Sequence, residues 1–268
     1  MWVSVGGQEY RDGEIGMAQV LELLGEGLST SGPAPGELAQ AATEADGGDG
    51  VVILTVSRGM SAVYDAARVA ASSLGGTDVA VVDTGVAAGA QGLVVLAASR
   101  AARSGADVEG VVAAATAAAG RARLVATLPS LEHLARSGRV PGVAAWGARW
   151  LGLQPVFEFS GGKVRPLRPA RGRRAALQGI VATWARARAA SRFEDSALHV
   201  AALHALDPET AGELLAEVNA QARPASSFIG SFSPVMVAHT GPGLAGLAWC
   251  WDPPGARGSS SGQLDSSG

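Results

Sequence analysis

Two α/β domains are expected, with a mostly parallel sheet in the first and a mixed sheet with a hairpin in the second, because three features of the chain converge on that class. Nearly continuous apolar runs such as "VVILTV" (51 to 56) alternate with segments whose apolar residues recur at helical spacing. The pattern changes at "PSLEHLARSGRVPG" (129 to 142). Beyond it, "LQPVFEFSGGKVRPL" alternates about Gly161-Gly162, a hairpin signature.

The elements follow in order. "MWVSV" is a short apolar strand, Met17 to Leu24 a helix, "LSTSGPAPGEL" a turn, and Leu38 to Ala45 a helix. Val51 to Val56 is β-branched and continuous, as a buried strand of a parallel sheet should be. Met60, Val63, Tyr64, Ala67, Ala70, Ala71 and Leu74 then mark one helix face. A strand at 79 to 85, helices at 87 to 103 and 108 to 119, and a strand at 122 to 128 complete the first domain, placed at 1 to 128. Strands separated by helices imply right-handed crossovers. The second domain, 129 to 252, holds a short helix closed by Gly138, the hairpin, and a helix from Arg173 to Ala190. A strand at 197 to 205, a helix from Pro208 to Arg223, and strands in "SSFIGSFS" and "PVMVAHTGPGLAGLAW" follow. The polar, glycine-rich end, 253 to 268, is expected to be disordered.

Bulk properties exclude several classes. A formal charge of -3 and a pI near 5.8 give no general attraction to nucleic acid or anionic membrane. Lys163 is the only lysine among the 21 basic residues, so the arginine excess reads as codon bias. The single Cys250 rules out an intrachain disulfide and a thiolate metal cluster. The amino terminus lacks the pattern of a secretory signal, and no apolar run reaches the roughly 18 residues of a membrane span. A cytoplasmic protein without stable membrane insertion is the expectation.

Ligands on parallel sheets collect at the carboxyl ends of the strands, where Thr30, Ser31, Ser57, Ser61, Asp83 and Thr84 fall. Ser57 and Ser61 sit at a strand-to-helix turn with three roles open to them: helix cap, nucleophile or anion seat. The nucleophile elbow G-x-S-x-G is missing from "TVSRGMSAV". His239 lies in "VMVAHTGPGLAG", after an expected strand and before a glycine-rich turn whose free N-H groups suit a carboxylate. His133, His199 and His204 fall inside elements and read as packing or surface residues, and no histidine pair has metal-ligand spacing. The run "RPLRPARGRRAAL" (165 to 177) is either the solvated entry to a helix or a basic rim for an anionic partner.

Taken in order, these segments resemble the DegV family of bacterial fatty-acid-binding proteins. "QEYRDGEIG" is similar to the family's Y-x-D-G segment, "TSGPAP" to its T-S-Q-P-S turn, and "SRGMSAVYDAA" to its S-S-x-L-S-G-T-Y-Q-S-A motif. "VAVVDTGVAAGAQGLVVLAA", "LEHLARSGRV" and "AHTGPGLAGLAW" resemble the later strand, the L-x-x-L-K-x-G-G-R-I segment and the G-x-H-x-G-P-G motif. The resemblance implies a non-catalytic carrier with a long-chain fatty acid buried in a cleft between the two domains. It implies that hydroxyls and a histidine hold the carboxylate: Thr30, Ser61 and His239 here, with Ser31 and Ser57 on the rim. It further implies presentation of that carboxylate to a fatty-acid kinase, for acyl-phosphate formation and phospholipid synthesis, with Arg171 near the docking surface. Neither a cofactor nor a metal is implied.

About 14 buried methylenes at about 0.8 kcal/mol each give a gross drive of roughly 11 kcal/mol, before association costs. The headgroup contacts then serve mainly to orient the carboxylate. The chain departs from the family in three places. It begins after the family's usual first strand, Gly-Thr of the L-S-G-T motif is Ala62-Val63, and the Gln of T-S-Q-P is Gly32. Two competing classes remain: a serine hydrolase using Ser61, His239 and Asp83, and a degenerate homologue that binds no fatty acid.

Overall fold

The computed structural model describes residues 1–24, 27–149, 152–190 and 196–253. A small antiparallel sheet opens the chain. Strand β1 (Trp2–Val5) turns through Gly6 and Gly7 into β2 (Gln8–Arg11). Both glycines have positive φ, 56° and 82°, as a two-residue hairpin turn requires. After helix α1 (Met17–Leu23), β3 (Ser29–Ser31) returns to pair with β1, setting Thr30 opposite Val3. Strands β2 and β3 are short and largely polar, so the sequence reads them as loop.

Next come α2 (Pro35–Ala45), β4 (Val51–Thr55), α3 (Val63–Ser73), β5 (Val79–Asp83), α4 (Ala88–Arg103) and α5 (Val108–Ala119). Strands β4 and β5 are parallel and joined through α3, the expected crossover. Among the described residues this sheet has two strands. Residues 51 to 54, expected to be buried, are therefore only half-buried, and Val52 and Leu54 line a cavity of about 580 Å³ together with residues of α4 and α5.

The remaining elements are β6 (Arg123–Thr127), α6 (Glu132–Arg136), α7 (Val143–Arg149), β7 (Val156–Ser160), β8 (Lys163–Pro166) and α8 (Arg173–Ala189). They are followed by β9 (Leu198–His204), α9 (Pro208–Gln221), β10 (Ser226–Ser231), α10 (Pro234–Thr240) and β11 (Ala245–Trp251). A six-stranded sheet runs β10-β9-β11-β6-β7-β8, and only β10 and β9 are parallel. Strand β6 was expected in the first sheet; β11 instead takes it into the large one. The hairpin at Gly161-Gly162 forms as expected, and its tip docks on the loop after β5, with Gly162 N–H donating to Gly85 O at 2.6 Å.

Every residue of β9 and β11 is buried because helices cover both faces of the sheet. Alternation divides their side chains. Leu124, Ala126, Ala201, Leu203 and Ala248 join the core shared with α4, α5, α6 and α10. Val125, Val200, Leu247 and Trp249 face Ile180 and Trp184 of α8 and Leu214 of α9. Residues 234 to 240, read from their valines as a strand, are the helix α10. Pro234 suits the first helical position, and Gly241, at φ 71°, ends the helix. The expected disordered end lies outside the described residues from 254 onward. No described helix is long and apolar enough to cross a membrane.

Two glycines on helices test this packing in opposite directions. A Cβ at Gly89 of α4 would lie 2.7 Å from Leu203 Cδ2 and 2.9 Å from Ala201 Cβ, whereas one at Gly179 of α8 would meet nothing within 4 Å. Gly89→Ala is expected to lower stability by about 1–3 kcal/mol through overpacking. Gly179→Ala is expected to raise it by about 1 kcal/mol through helix propensity. Urea-unfolding midpoints measure both, and equal shifts would contradict the α4–β9 packing.

Candidate functional site

The sequence places Thr30 and His239 at opposite ends of the chain, and the fold brings them together. Thr30 Oγ1 lies 2.7 Å from His239 Nε2 across 209 residues. Each is held from a different side. β1 fixes Thr30 through the β3 ladder. His239 occupies the last turn of α10, which is seated by buried Val235 and Val237. The backbone N–H of Val235 donates to Asp12 Oδ1 at 3.2 Å, so the loop after β2 holds the first turn of that helix. At the other end, a Cβ on Gly241 would sit 2.5 Å from His133 Cδ2, so the helix terminates against the His133 ring only because residue 241 has no side chain.

The pair opens onto a cavity of about 260 Å³, also lined by Leu28, Ser29, His133 and Arg139. Burial, reinforced by the positive charge of Arg139, lowers the His239 pKa to about 4. The imidazole is therefore neutral at neutral pH, and a positive charge at this cavity must come from another group. Arg139 supplies it. Its Nη1 donates to Ser137 O at 3.1 Å, which anchors the guanidinium beside the cavity. With the tautomer in which His239 Nε2–H donates to Thr30 Oγ1, the hydroxyl keeps its own proton, and that hydroxyl with the Arg139 guanidinium suits an anion of carboxylate size. Sequence reading missed Arg139 and assigned His133 to packing. The available signal was the arginine directly after Gly138, which closes α6 with φ 66° and turns the chain.

Ser61 stands at the turn that leads into α3. It is half-buried just before α3, and its Oγ accepts from Val63 N–H at 3.3 Å. Among the described residues no hydrogen bond joins it to Thr30 or His239. The turn carrying Thr30 does reach the start of α3, because a Cβ at Gly32 would lie 3.9 Å from Val63 Cβ. Two of the three departures from the resembled motifs, at 32 and 63, thus face each other. Ser31 is exposed opposite Trp2. Ser57, expected on the rim, is 1 % exposed and serves the turn: its N–H donates to Val86 O at 2.9 Å, and its carbonyl accepts from Met60 N–H.

The hydrolase constellation is not assembled. Asp83 accepts from the backbone of Arg58 at 3.2 Å and of Gly85 at 2.9 Å, which fixes the loops after β4 and β5, while His239 faces Thr30. His199 faces Ser226 at 2.7 Å, and His204 accepts from Asp207 N–H at 3.2 Å. Among the described residues no cluster of three or more His, Cys, Asp or Glu side chains has metal-binding geometry. Burial pushes the Cys250 thiol up to about 11, which leaves it unreactive at neutral pH. The arginine run splits: Arg171 is exposed, whereas Arg173 turns inward to Gly243 O at 3.0 Å and to Asp207 and Thr210.

Sheet order, helix placement and the meeting of two chain-distant motifs at one cavity define a two-domain α/β protein of the DegV architecture. The chain belongs to the DegV family, whose sequence profile, described as uncharacterised protein, DegV family, matches residues 1–252. A DegV domain-containing protein of Mycobacterium tuberculosis is 32% identical over 224 residues, covering 82% of this chain and 78% of the relative. A DegV domain-containing protein of Streptomyces coelicolor is 32% identical over 202 residues, covering 75% and 70%. Among solved structures, a DegV family protein from Thermus thermophilus, described by its fatty-acid binding, superposes with a TM-score of 0.84 at 30% identity, over 94% of this chain and 90% of that one. DegV of Bacillus subtilis, described as a fatty acid binding protein, gives a TM-score of 0.81 at 25% identity with the same coverage.

The half-buried imidazole makes stability depend on pH. Unfolded His239 titrates near 6.5 and the folded residue near 4, so between these values the unfolded chain binds the extra proton. The contribution is fully present above pH 6.5 and is lost as pH falls toward 4. Thermal-unfolding midpoints across that window are expected to fall more steeply for the native chain than for His239→Gln. Parallel curves would contradict the neutral imidazole. Gly241→Ala is expected to cost about 1–3 kcal/mol from the strained φ and the His133 clash, read in the same unfolding assay.

Proposed function

We propose that this protein binds a long-chain fatty acid and holds its carboxylate at the Thr30–His239 pair, without catalysing a reaction on it. The observation that carries this reading is the 2.7 Å contact between Thr30 and His239 beside Arg139 at a small cavity. The Thermus and Bacillus relatives are described as binding fatty acids, and this donor set suits that headgroup. In the proposed complex, Arg139 supplies the positive charge and the Thr30 hydroxyl and His239 imidazole orient the carboxylate oxygens. Ser61 stands beside the Thr30 turn as a further hydroxyl. Half-buried Leu24, Leu28, Met60 and Met236, packed against the main core, are the proposed wall near the headgroup.

The further reading is that the bound carboxylate is presented, in the cytoplasm, to a fatty-acid kinase and becomes an acyl phosphate. Exposed Arg165, Arg168, Arg171 and Arg174 line the end of β8 and the entry to α8, a basic surface that suits an acidic partner face. We place the ligand between domains at 1–128 and 129–252, with β6 crossing into the second sheet.

Organic extraction of the purified protein followed by mass spectrometry is expected to release a long-chain fatty acid. Thr30→Val and Arg139→Ala are each expected to weaken binding by about 10- to 100-fold, the value of a charge-assisted hydrogen bond. A protein that yields no lipid and shows no measurable fatty-acid affinity overturns the reading and favours a non-binding homologue. Fluorophosphonate labelling of Ser61 would instead favour a hydrolase.

A further inference from the structure

The hairpin that opens the chain touches both halves of the site. Through β1 it sets Thr30 opposite Val3. Through Asp12, immediately after β2, it reaches the first turn of α10, where Oδ1 accepts from Val235 N–H at 3.2 Å across 223 residues. Asp12 is itself fixed, since its N–H donates to Met1 O at 2.8 Å and closes the open end of the hairpin.

The cap residue of α10 sharpens the point. Ser233 occupies the N-cap with extended backbone, the residue type and conformation that normally satisfy the helix's own N–H groups, yet it makes no side-chain cap bond. The acceptor comes from Asp12 instead. Helix α10 is only seven residues long, so a few contacts decide its orientation, and its last turn carries His239. A carboxylate at its N-terminus is also favourably placed against the helix dipole.

We propose that Asp12 is a positioning residue for the Thr30–His239 pair: by tying the first turn of α10 to the β1–β2 hairpin, it makes one rigid piece of chain set both partners. The hairpin then acts as a template. The binding arm of its test rests on the carboxylate seat proposed above; the geometric arm does not.

The experiment compares the native chain with Asp12→Ala and Asp12→Asn. NMR titration of the His239 imidazole in ligand-free protein reads the geometry. The other charged or titratable groups around that cavity, Arg139, Arg136 and His133, are unchanged in every variant. In Asp12→Ala, the freed helix lets the ring leave Thr30 and take up water, so its midpoint is expected to move from about 4 toward 6.5. The Val235 amide is expected to lose protection from hydrogen exchange in the same variant. In Asp12→Asn the side-chain oxygen still accepts, so both readouts stay near native. Palmitate affinity is expected to fall by about tenfold in Asp12→Ala and to stay within about threefold in Asp12→Asn.

A folded Asp12→Ala protein with native His239 titration overturns the proposal, as does an Asp12→Asn protein that behaves like the alanine variant. If Asp12→Ala does not fold, Asp12→Ser, with its shorter reach, carries the same expected direction and the same refutation. Native protein that fails to bind palmitate removes the fatty-acid reading and leaves the titration and exchange results to decide the role of Asp12.

Discussion

Strand β11 is the last strand of the described residues and is central in space, and that insertion is the constraint on which the rest of the molecule depends. It pairs antiparallel with β9 on one side and with β6 on the other, and each of its seven residues is buried. Without it the large sheet would separate into β10-β9 and β6-β7-β8, and Ile180, Trp184 and Val200 would lose Leu247 and Trp249 as core partners. Its presence recruits β6 from the first half of the chain into the second sheet. It also returns the carboxyl-terminal region to the amino-terminal sheet, because α10 directly precedes it and the amino-terminal hairpin packs against α10. The fold therefore completes only when non-local contacts form, at the entropic cost such closures carry.

The site inherits its character from that closure. Once α10 is packed, the partial burial of His239 lowers its proton affinity, and the charge acting on it, Arg139, is of the same sign as an imidazolium. In the proposed complex a neutral ring beside a fixed guanidinium separates two tasks: the guanidinium would neutralise the carboxylate, and the ring with Thr30 would set its direction. An imidazolium at this half-buried position would carry a larger desolvation cost and would stand against the like charge of Arg139. The glycine at 241 belongs to the same arrangement, since it lets His133 approach the helix end.

Much of the architecture is legible locally. The spacing of Ala176, Ile180 and Trp184 marks α8, the glycine pair at 161 and 162 marks the β7–β8 hairpin, and the β-branched run from Val51 marks β4, because periodicity and turn chemistry act over a few residues. Strands β2 and β3 escape because three or four polar residues carry no period. Helix α10 was mistaken for a strand because Val235, Met236 and Val237 favour extended structure, and Pro234, Gly241 and the buried setting overrule them.

By itself, the sequence determined the α/β class, the order of most elements, the lack of a second cysteine for an intrachain disulfide, and a short set of hydroxyl and imidazole candidates at the ends of elements. Only the tertiary structure decided that Thr30 is the partner of His239, that Ser57 is sealed inside a turn, that Ser61 serves the start of α3, and that Arg139 lines the same cavity as the Thr30–His239 pair. The physical reason is range. Propensity and periodicity are set by neighbours along the chain, whereas a hydrogen bond of 2.7 Å across 209 residues, and the proton affinity of the ring that makes it, are set by what packs around it.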